Sequence, residues 1–422
     1  MRAHATYVLA GALACWLLVN AFLPSYLNAL SLDPGIALGE LFDNPRAAQL
    51  IADRYDEPAF VVRYGVSDLQ EALAGLGVPE ATTFTLVNLL GLGVTGLLLA
   101  RLMPARRDGP TRRLALAALL LWLPVLTALT AYTSAYDDFV QWPLLLLAWV
   151  ACRTAANRPW RVLLAVLAMT AAVLVRETSA VFAGYLLLVS LRRRRWRLAA
   201  GLALAVAAGL YVLGRHPAAA ENAAFAAGRL TMALRSNFGS LRDGAEAVLL
   251  VATVVALPAY LLARANREAG RGVGPEAWLL LLGNTALVTT CAIIHETRLF
   301  VLGMLPLLIT LGHPGVQRAL VAYVRAVPRR AWAILALASA AVAFVGYRPS
   351  AGRSAVVYQL YMWPYLTLLV GAAWGAARGS GRAFAKTGHG ATRGHRRDYA
   401  KARVRLENPL PTPERGPCPI PS

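Results

Sequence analysis

Carboxylates and arginines stand where this otherwise apolar chain interrupts its runs. Asp33 follows the first run in Ser31-Leu32-Asp33-Pro34-Gly35, and Asp137-Asp138 stand together ahead of another. Arg176-Glu177-Thr178 and His295-Glu296-Thr297-Arg298 each divide a longer apolar stretch. A carboxylate so placed can take a proton from a hydroxyl, and the planar fork of an arginine can hold a phosphate in bidentate fashion. Together they suit group transfer from a phosphate leaving group to a hydroxyl acceptor. Each also has a plain structural use. Asp-Pro-Gly makes a good local turn, an aspartate caps a helix start, and Arg176 can pair with Glu177 or Glu296 to hold helix ends together. Adjacent carboxylates repel, so Asp137-Asp138 calls for capping, a cation, a hydroxyl donor or an arginine nearby.

The elements that must position these groups follow from composition. The chain has 422 residues, is 58% hydrophobic and only 15% charged, and has a mean hydropathy of +0.52. Soluble chains carry roughly a quarter charged residues, so an all-α polytopic membrane protein is expected. The net charge of +20 resides almost wholly in arginine, since Lys386 and Lys401 are the only lysines. Those arginines cluster in short segments between apolar runs, which is how membrane orientation is encoded, and no nucleic-acid partner is expected. Cys15, Cys152 and Cys291 lie in apolar runs and Cys418 in a polar tail, with no CxxC spacing for a metal. No nucleotide-binding glycine loop appears.

A membrane helix needs about 20 apolar residues. Candidate spans run from Tyr7 to Leu23, Thr83 to Ala100, Leu114 to Tyr132, Phe139 to Cys152, Val162 to Val175 and Ser179 to Leu191. Six more run from Leu198 to Leu213, Ala247 to Ala263, Ala277 to Ile294, Leu299 to Leu311, Ala331 to Val345 and Val356 to Ala377, giving about twelve. The first is read as a retained span rather than a cleaved signal, because its apolar run is too long for a signal core. With the N-terminus inside, every even-numbered exit carries a basic cluster, as the positive-inside rule asks. This parity splits Val162 to Leu191 at Arg176-Glu177, and Ala277 to Leu311 at His295 to Arg298. The expected frame is a transmembrane domain over 1–377 in a bacterial inner membrane, both termini cytoplasmic, with a disordered basic tail over 378–422 that lies against anionic lipid.

Two outer loops are long. The first, about 24–82, is acid-rich and should hold two short helices, one opened by Asp43-Asn44-Pro45 and one by the capping box Ser67-x-x-Gln70. In the second helix Val66, Leu69, Leu73 and Leu76 recur at helical spacing and Gly77 offers a stop, as in an amphipathic helix on the membrane surface. The second loop, about 214–244, is acid-poor and carries Arg229 and Arg235. Basic groups on that side run against the orientation trend and suit a phosphate ligand or, equally, a solvated helix.

This layout resembles the C-type glycosyltransferase superfamily (GT-C), polytopic enzymes that move a sugar from a polyprenyl-phosphate carrier to an acceptor on the outer face. The resemblance lies in a short cytoplasmic start, an early aspartate in a long helical first outer loop, acidic short turns, and a second long loop between spans seven and eight. It implies Asp33 as general base, with Asp137 and Asp138 as further catalytic carboxylates. It also implies Arg176 in Val175-Arg176-Glu177-Thr178 and Arg298 before Leu299-Phe300 as donor-phosphate ligands, joined by Arg229 and Arg235. Glu177, His295 and Glu296 then support them. The chain departs from the family's pattern in lacking an Asp-Glu pair beside the first span and in setting Leu299 between the arginine and its aromatic; a nearer proline than Pro306 is also missing. The implied partners are a lipid-linked sugar donor, a glycan or lipid acceptor and the membrane itself. No resident cofactor is expected, although a divalent ion between Asp33 and Asp137 is compatible with the chemistry. Two other readings stay open: a twelve-span secondary transporter or flippase with Glu177 or Glu296 relaying protons, and a non-catalytic membrane assembly protein.

Overall fold

Proline and small residues shape the helices this sequence forms. A computed structural model describes residues 66–102, 136–154, 158–292, 297–346 and 354–379, and among them there is no strand. The spans expected over Tyr7 to Leu23 and Leu114 to Tyr132, Asp33, the helix opened at Asp43-Asn44-Pro45, His295, Glu296 and the tail beyond 379 all lie outside the described residues.

The surface helix of the first loop is α1 (Val66–Gly75). Its end is a Schellman turn: Gly77 sits at φ 82°, Gly77 N donates to Ala74 O and Val78 N to Leu73 O. Ser67 lies within this helix rather than at its cap. Next come α2 (Glu80–Leu102) and α3 (Tyr136–Thr154). Both finish at one end of the bundle, where an Arg153 nitrogen donates to Leu102 O. There α4 (Pro159–Val175) begins, tied to α3 by Arg161 Nη1 donating to Thr154 O at 2.8 Å. The extended break at Arg176 turns the chain into α5 (Ser179–Arg192), which comes back to the arginine end before α6 (Trp196–Gly214) leaves it.

Across the opposite end runs α7 (Ala219–Phe238). The chain then descends through α8 (Leu241–Val251), a π-helical segment Ala252–Ala256 and α9 (Leu257–Glu268). Pro258 explains the π segment. A proline lacks an N–H and its ring collides with the carbonyl four residues back, here that of Val254; widening the helix, so that Leu257 N reaches Ala252 O, accommodates it. From the arginine end α10 (Pro275–Cys291) climbs, and a 3₁₀ turn Thr297–Phe300, α11 (Val301–Leu308) and a second 3₁₀ turn Ile309–Gly312 bring the chain back. Next α12 (Pro314–Arg325), amphipathic with Val316 and Tyr323 buried, meets α13 (Arg329–Ala341) at a 90° bend. The last described helix is α14 (Ser354–Gly379).

Trp196–Gly214 and the continuous stretch Leu241–Glu268 are each long and apolar enough to cross a membrane; α12 with α13 passes the same test as a bent pair. One apolar core joins α2 to α6, α8 to α12 and α14, with Leu99, Leu102, Phe182 and Phe300 fully buried, and a smaller cluster of Val327, Ala331 and Leu335 packs the start of α13 against Val370 and Trp374 of α14. Trp149, Phe182 and Tyr185 pack α3 against α5 with ring centroids 5.4 to 5.6 Å apart. Cys152 is buried in this core and Cys291 is exposed.

Close backbone approach decides the packing of α14. A Cβ on Gly375 would run into the Tyr323 carbonyl, and one on Gly371 into the Trp332 ring. Gly371-x-x-x-Gly375 is therefore a small-residue seam of the kind that lets membrane helices touch. Trp363 Nε1 donating to Ala336 O at 2.7 Å fixes the same helix against α13. On the other side of the bundle, Gly209 of α6 gives the Val173 side chain of α4 the same clearance. Gly375→Ala is expected to cost about 1–3 kcal/mol through overpacking. Gly184→Ala, where a Cβ meets nothing within 4 Å, should be neutral or stabilising because alanine is the better helix former. Unfolding in detergent checks both, and equal behaviour of the two variants would refute the seam.

Candidate functional site

Helix length places the first polar group. At 1.5 Å per residue, the 17 residues of α4 rise about 25 Å and the 14 of α5 about 21 Å, short of a hydrocarbon layer about 30 Å deep. The break between them therefore lies no further out than the edge of such a layer wherever α4 and α5 start at its opposite face. Arg176 occupies it with φ −160° and ψ 121°, its N–H donating to Ala172 O at 2.9 Å. The side chain is 8% exposed and so is enclosed by protein. Glu177 beside it is half-buried.

A polar latch fixes this break to α3. Gln141 Nε2 donates to Ser179 Oγ at 2.8 Å and to Thr178 Oγ1 at 3.2 Å, and Ser179 Oγ donates to Ala172 O at 2.8 Å. Gln141 and Ser179 are both buried. The latch brings the first turn of α3, where Asp137 and Asp138 lie one turn before Gln141, to the same end of the bundle as Arg176.

The second break is deeper. Asn284 Nδ2 donates to Leu299 O at 2.9 Å, so the 3₁₀ turn bearing Arg298 meets α10 seven residues below its Cys291 terminus, about 10 Å of helix. That turn packs against the π segment of the α8–α9 helix. Six residues before the π segment stands Glu246, a carboxylate only 4% exposed.

Sequence reasoning passed over Glu246 by starting the span one residue later. The signal was present: Glu246, Leu250 and Val254 recur every four residues and all are buried on one stripe. Ser240, whose Oγ accepts from Asp243 N at 3.1 Å and donates to Asp243 Oδ2 at 2.6 Å, sets the helix start at Leu241. Glu246 therefore belongs to the second turn.

Arg229 and Arg235 lie on α7. Asn237 Nδ2 holds that helix to the terminus of α10 by donating to Ala292 O at 2.8 Å and to Thr289 O at 3.0 Å. Arg235 is exposed and, with Thr231, Ser236 and Asp243, lines a shallow hollow; Arg229 is half-buried. Because α5 and α10 are antiparallel and joined at the arginine end by Arg192 and Glu276, 2.7 Å apart, the Cys291 terminus lies at the same end as Ser179. Asp137, Asp138, Arg176, Glu177, Arg229, Arg235 and Arg298 thus share one end of the bundle. Asp33, His295 and Glu296, which the sequence joins to them, are outside the described residues. Among the described residues no three His, Cys, Asp or Glu side chains form a metal-holding group.

The latch is testable by itself. Gln141→Leu leaves buried hydroxyls short of a donor and should lower stability by about 1–2 kcal/mol, while Gln141→Glu, which can accept but not donate when ionised, should cost more. Thermal unfolding of the two variants in detergent checks the order; a Gln141→Leu protein as stable as the parent would show that the contact does not hold the break.

No family model, curated protein or solved structure matches this chain, so the chemistry rests on the side chains themselves.

Proposed function

We propose that this chain is a twelve-span membrane glycosyltransferase that moves a sugar from a polyprenyl-phosphate donor to an acceptor hydroxyl on the extracytoplasmic side. The observation that carries the reading is the occurrence of a buried arginine, Arg176, and a buried carboxylate, Glu246, at the bundle end away from the arginine clusters. Buried ionisable groups within membrane helices are costly and are retained chiefly for function. Two broken helices, at Arg176 and at Thr297–Phe300, bring backbone and polar side chains below the surface at that end. The span count is supported by the parallel course of α2 and α3, whose connection carries the apolar run Leu114 to Tyr132.

In the proposed reaction the acceptor oxygen attacks the anomeric carbon and the bond from that carbon to the phosphate oxygen breaks. A carboxylate takes the acceptor's proton, and polyprenyl phosphate departs with the bonding electrons. The resemblance gives the base role to Asp33, with Asp137 and Asp138 beside it; Arg176 and Arg298 would meet the charge growing on the phosphate. Arg229 and Arg235 on α7 stand where a headgroup enters from the surface. A second reading, a secondary transporter, draws on Glu246 itself, because a buried carboxylate in a membrane helix is also what a proton relay requires.

Deletion and parent strains compared for envelope glycans and polyprenyl-linked sugars test both readings. The transferase reading expects one glycosidic linkage to vanish and its lipid-linked donor to accumulate. Asp33→Asn and Arg176→Ala should restore less than about a hundredth of the transfer while reaching normal membrane levels. An intact linkage with no donor accumulation would sink the enzyme. Proton flux in proteoliposomes that is lost in Glu246→Gln would put the transporter in its place.

A further inference from the structure

The arginine end holds a cavity of about 260 Å³ that the proposed transferase does not use. Arg153, Arg193, Arg195 and Arg271 line it against a single carboxylate, Glu276. That carboxylate is already committed. Its Oε2 accepts from Arg192 Nη1 at 2.7 Å, and the residue stands in the first turn of α10, where a negative charge complements the helix dipole. The lining therefore sets four guanidiniums against one carboxylate, which it shares with Arg192 outside.

Two of the four are held in place by protein. Arg153 donates to Leu102 O, the last carbonyl of α2, and Arg195 Nη1 donates to Cys152 O near the end of α3 at 2.8 Å. Each spends part of its fork on a helix terminus and keeps nitrogens to spare. The guanidinium groups of Arg193 and Arg271 donate to no group among the described residues, although both backbone N–H groups are bonded.

The backbone delivers these arginines through two copies of one device. At the end of α5, Arg194 N donates to Leu191 O and Arg195 N to Ser190 O; at the end of α9, Gly270 N donates to Arg267 O and Arg271 N to Asn266 O. Both are Schellman turns, and each places an arginine directly after its left-handed residue. In the second turn that residue is Gly270 at φ 70°, as expected, but in the first it is Arg194 at φ 56°, the one non-glycine positive φ among the described residues. A side chain in that conformation is strained, and such strain collects at sites that need a fixed geometry. The rest of the lining mixes apolar and polar groups, among them Trp149, Leu186 and Pro306, and buried Asn266 with its 2.8 Å bond to Thr310 Oγ1.

We infer that this cavity binds a phosphate-bearing anion, held by the free forks of Arg193 and Arg271 and by the spare nitrogens of Arg153 and Arg195. The same chemistry fits a phospholipid headgroup reaching in from the bilayer and a soluble phosphate or diphosphate from the adjoining water. Its failure would leave the transferase reading untouched, since that site lies at the other end.

The test uses the full chain in two arms. In detergent, inorganic phosphate and pyrophosphate are titrated at constant ionic strength and the unfolding midpoint is followed. In nanodiscs, phosphatidylglycerol is compared with phosphatidylcholine, and retained lipid is counted by native mass spectrometry. Arg193→Gln/Arg271→Gln, which leaves both anchored arginines in place, should weaken binding at least tenfold in whichever arm shows it, and Arg193→Lys/Arg271→Lys should regain part of the loss. Arg325→Gln/Arg330→Gln, with the same change of charge at the same end but outside the cavity, should bind like the parent. Loss confined to the nanodisc arm makes the ligand a lipid; loss in the detergent arm makes it soluble. Equal loss in the cavity and control variants, or no saturable binding in either arm, overturns the site.

Discussion

A 17-residue helix about 25 Å long falls short of a hydrocarbon layer about 30 Å deep, so α4 crosses one where the layer thins or where flanking polar residues enter it. This mismatch governs the half of the bundle built from α4, α5, α10 and the turn before α11. Inside lipid an unpaired backbone group costs several kcal/mol, so a broken helix survives only where protein supplies the missing partners. Ser179 and Asn284 reach backbone carbonyls at the two breaks, Ala172 O and Leu299 O, and Gln141 of α3 donates to the Ser179 hydroxyl. A hydrogen bond of this kind between membrane helices is worth about 0.6 to 2 kcal/mol, so none secures a break alone; their value lies in holding Arg176 and the turn of Arg298 at fixed depth.

Arginine does different work at the two ends. At the basic end it caps helices: Arg153 and Arg195 give hydrogens to the last carbonyls of α2 and α3, and Arg161 to the end of α3. A cation at a helix C-terminus complements the dipole, so these residues finish the helices they reach. At the opposite end Arg176 follows the C-terminus of α4 but is enclosed at 8% exposure, where desolvation raises the cost of its charge. Burial of this degree sets Arg176 apart from the arginines that cap helices at the basic end.

Much of this organisation could be read from residue order because orientation imposes parity. Had Val162 to Leu191 formed one helix, Arg158 and Arg192 would face opposite sides of the membrane, so the break at Arg176 was forced before any contact was known. The end of α1 at Gly77 was similarly legible, since a left-handed residue after a helical stripe favours glycine. Three features escaped. Glu246 was lost by one residue at a span boundary. Between the apolar runs ending at Leu311 and opening at Ala331, Arg318 and Arg325 give the segment a basic character that hides a helix, although Val316, Leu320, Tyr323 and Val324 give α12 an apolar face. The arginine-lined cavity could not be seen, because Arg153, Arg193 and Arg271 are distant in sequence and each already had a sufficient explanation in membrane orientation.

The Schellman turn at Arg194 bears on how the two ends relate. Substituting glycine there would remove strain without disturbing any hydrogen bond of the turn, since Arg194 N and Arg195 N donate through the backbone. A sequence free to relax would be expected to take that route, as it does at Gly77 and Gly270. At Arg194 the turn instead keeps a bulky, exposed side chain at φ 56°. With Arg192 engaged by Glu276, Arg195 by the end of α3, and Arg193 lining the cavity, the run from Arg192 to Arg195 divides into separate tasks residue by residue. The basic end is thus a constructed surface as well as an orientation signal, and the bundle carries polar architecture at both ends, linked by the apolar core around Phe182 and Phe300.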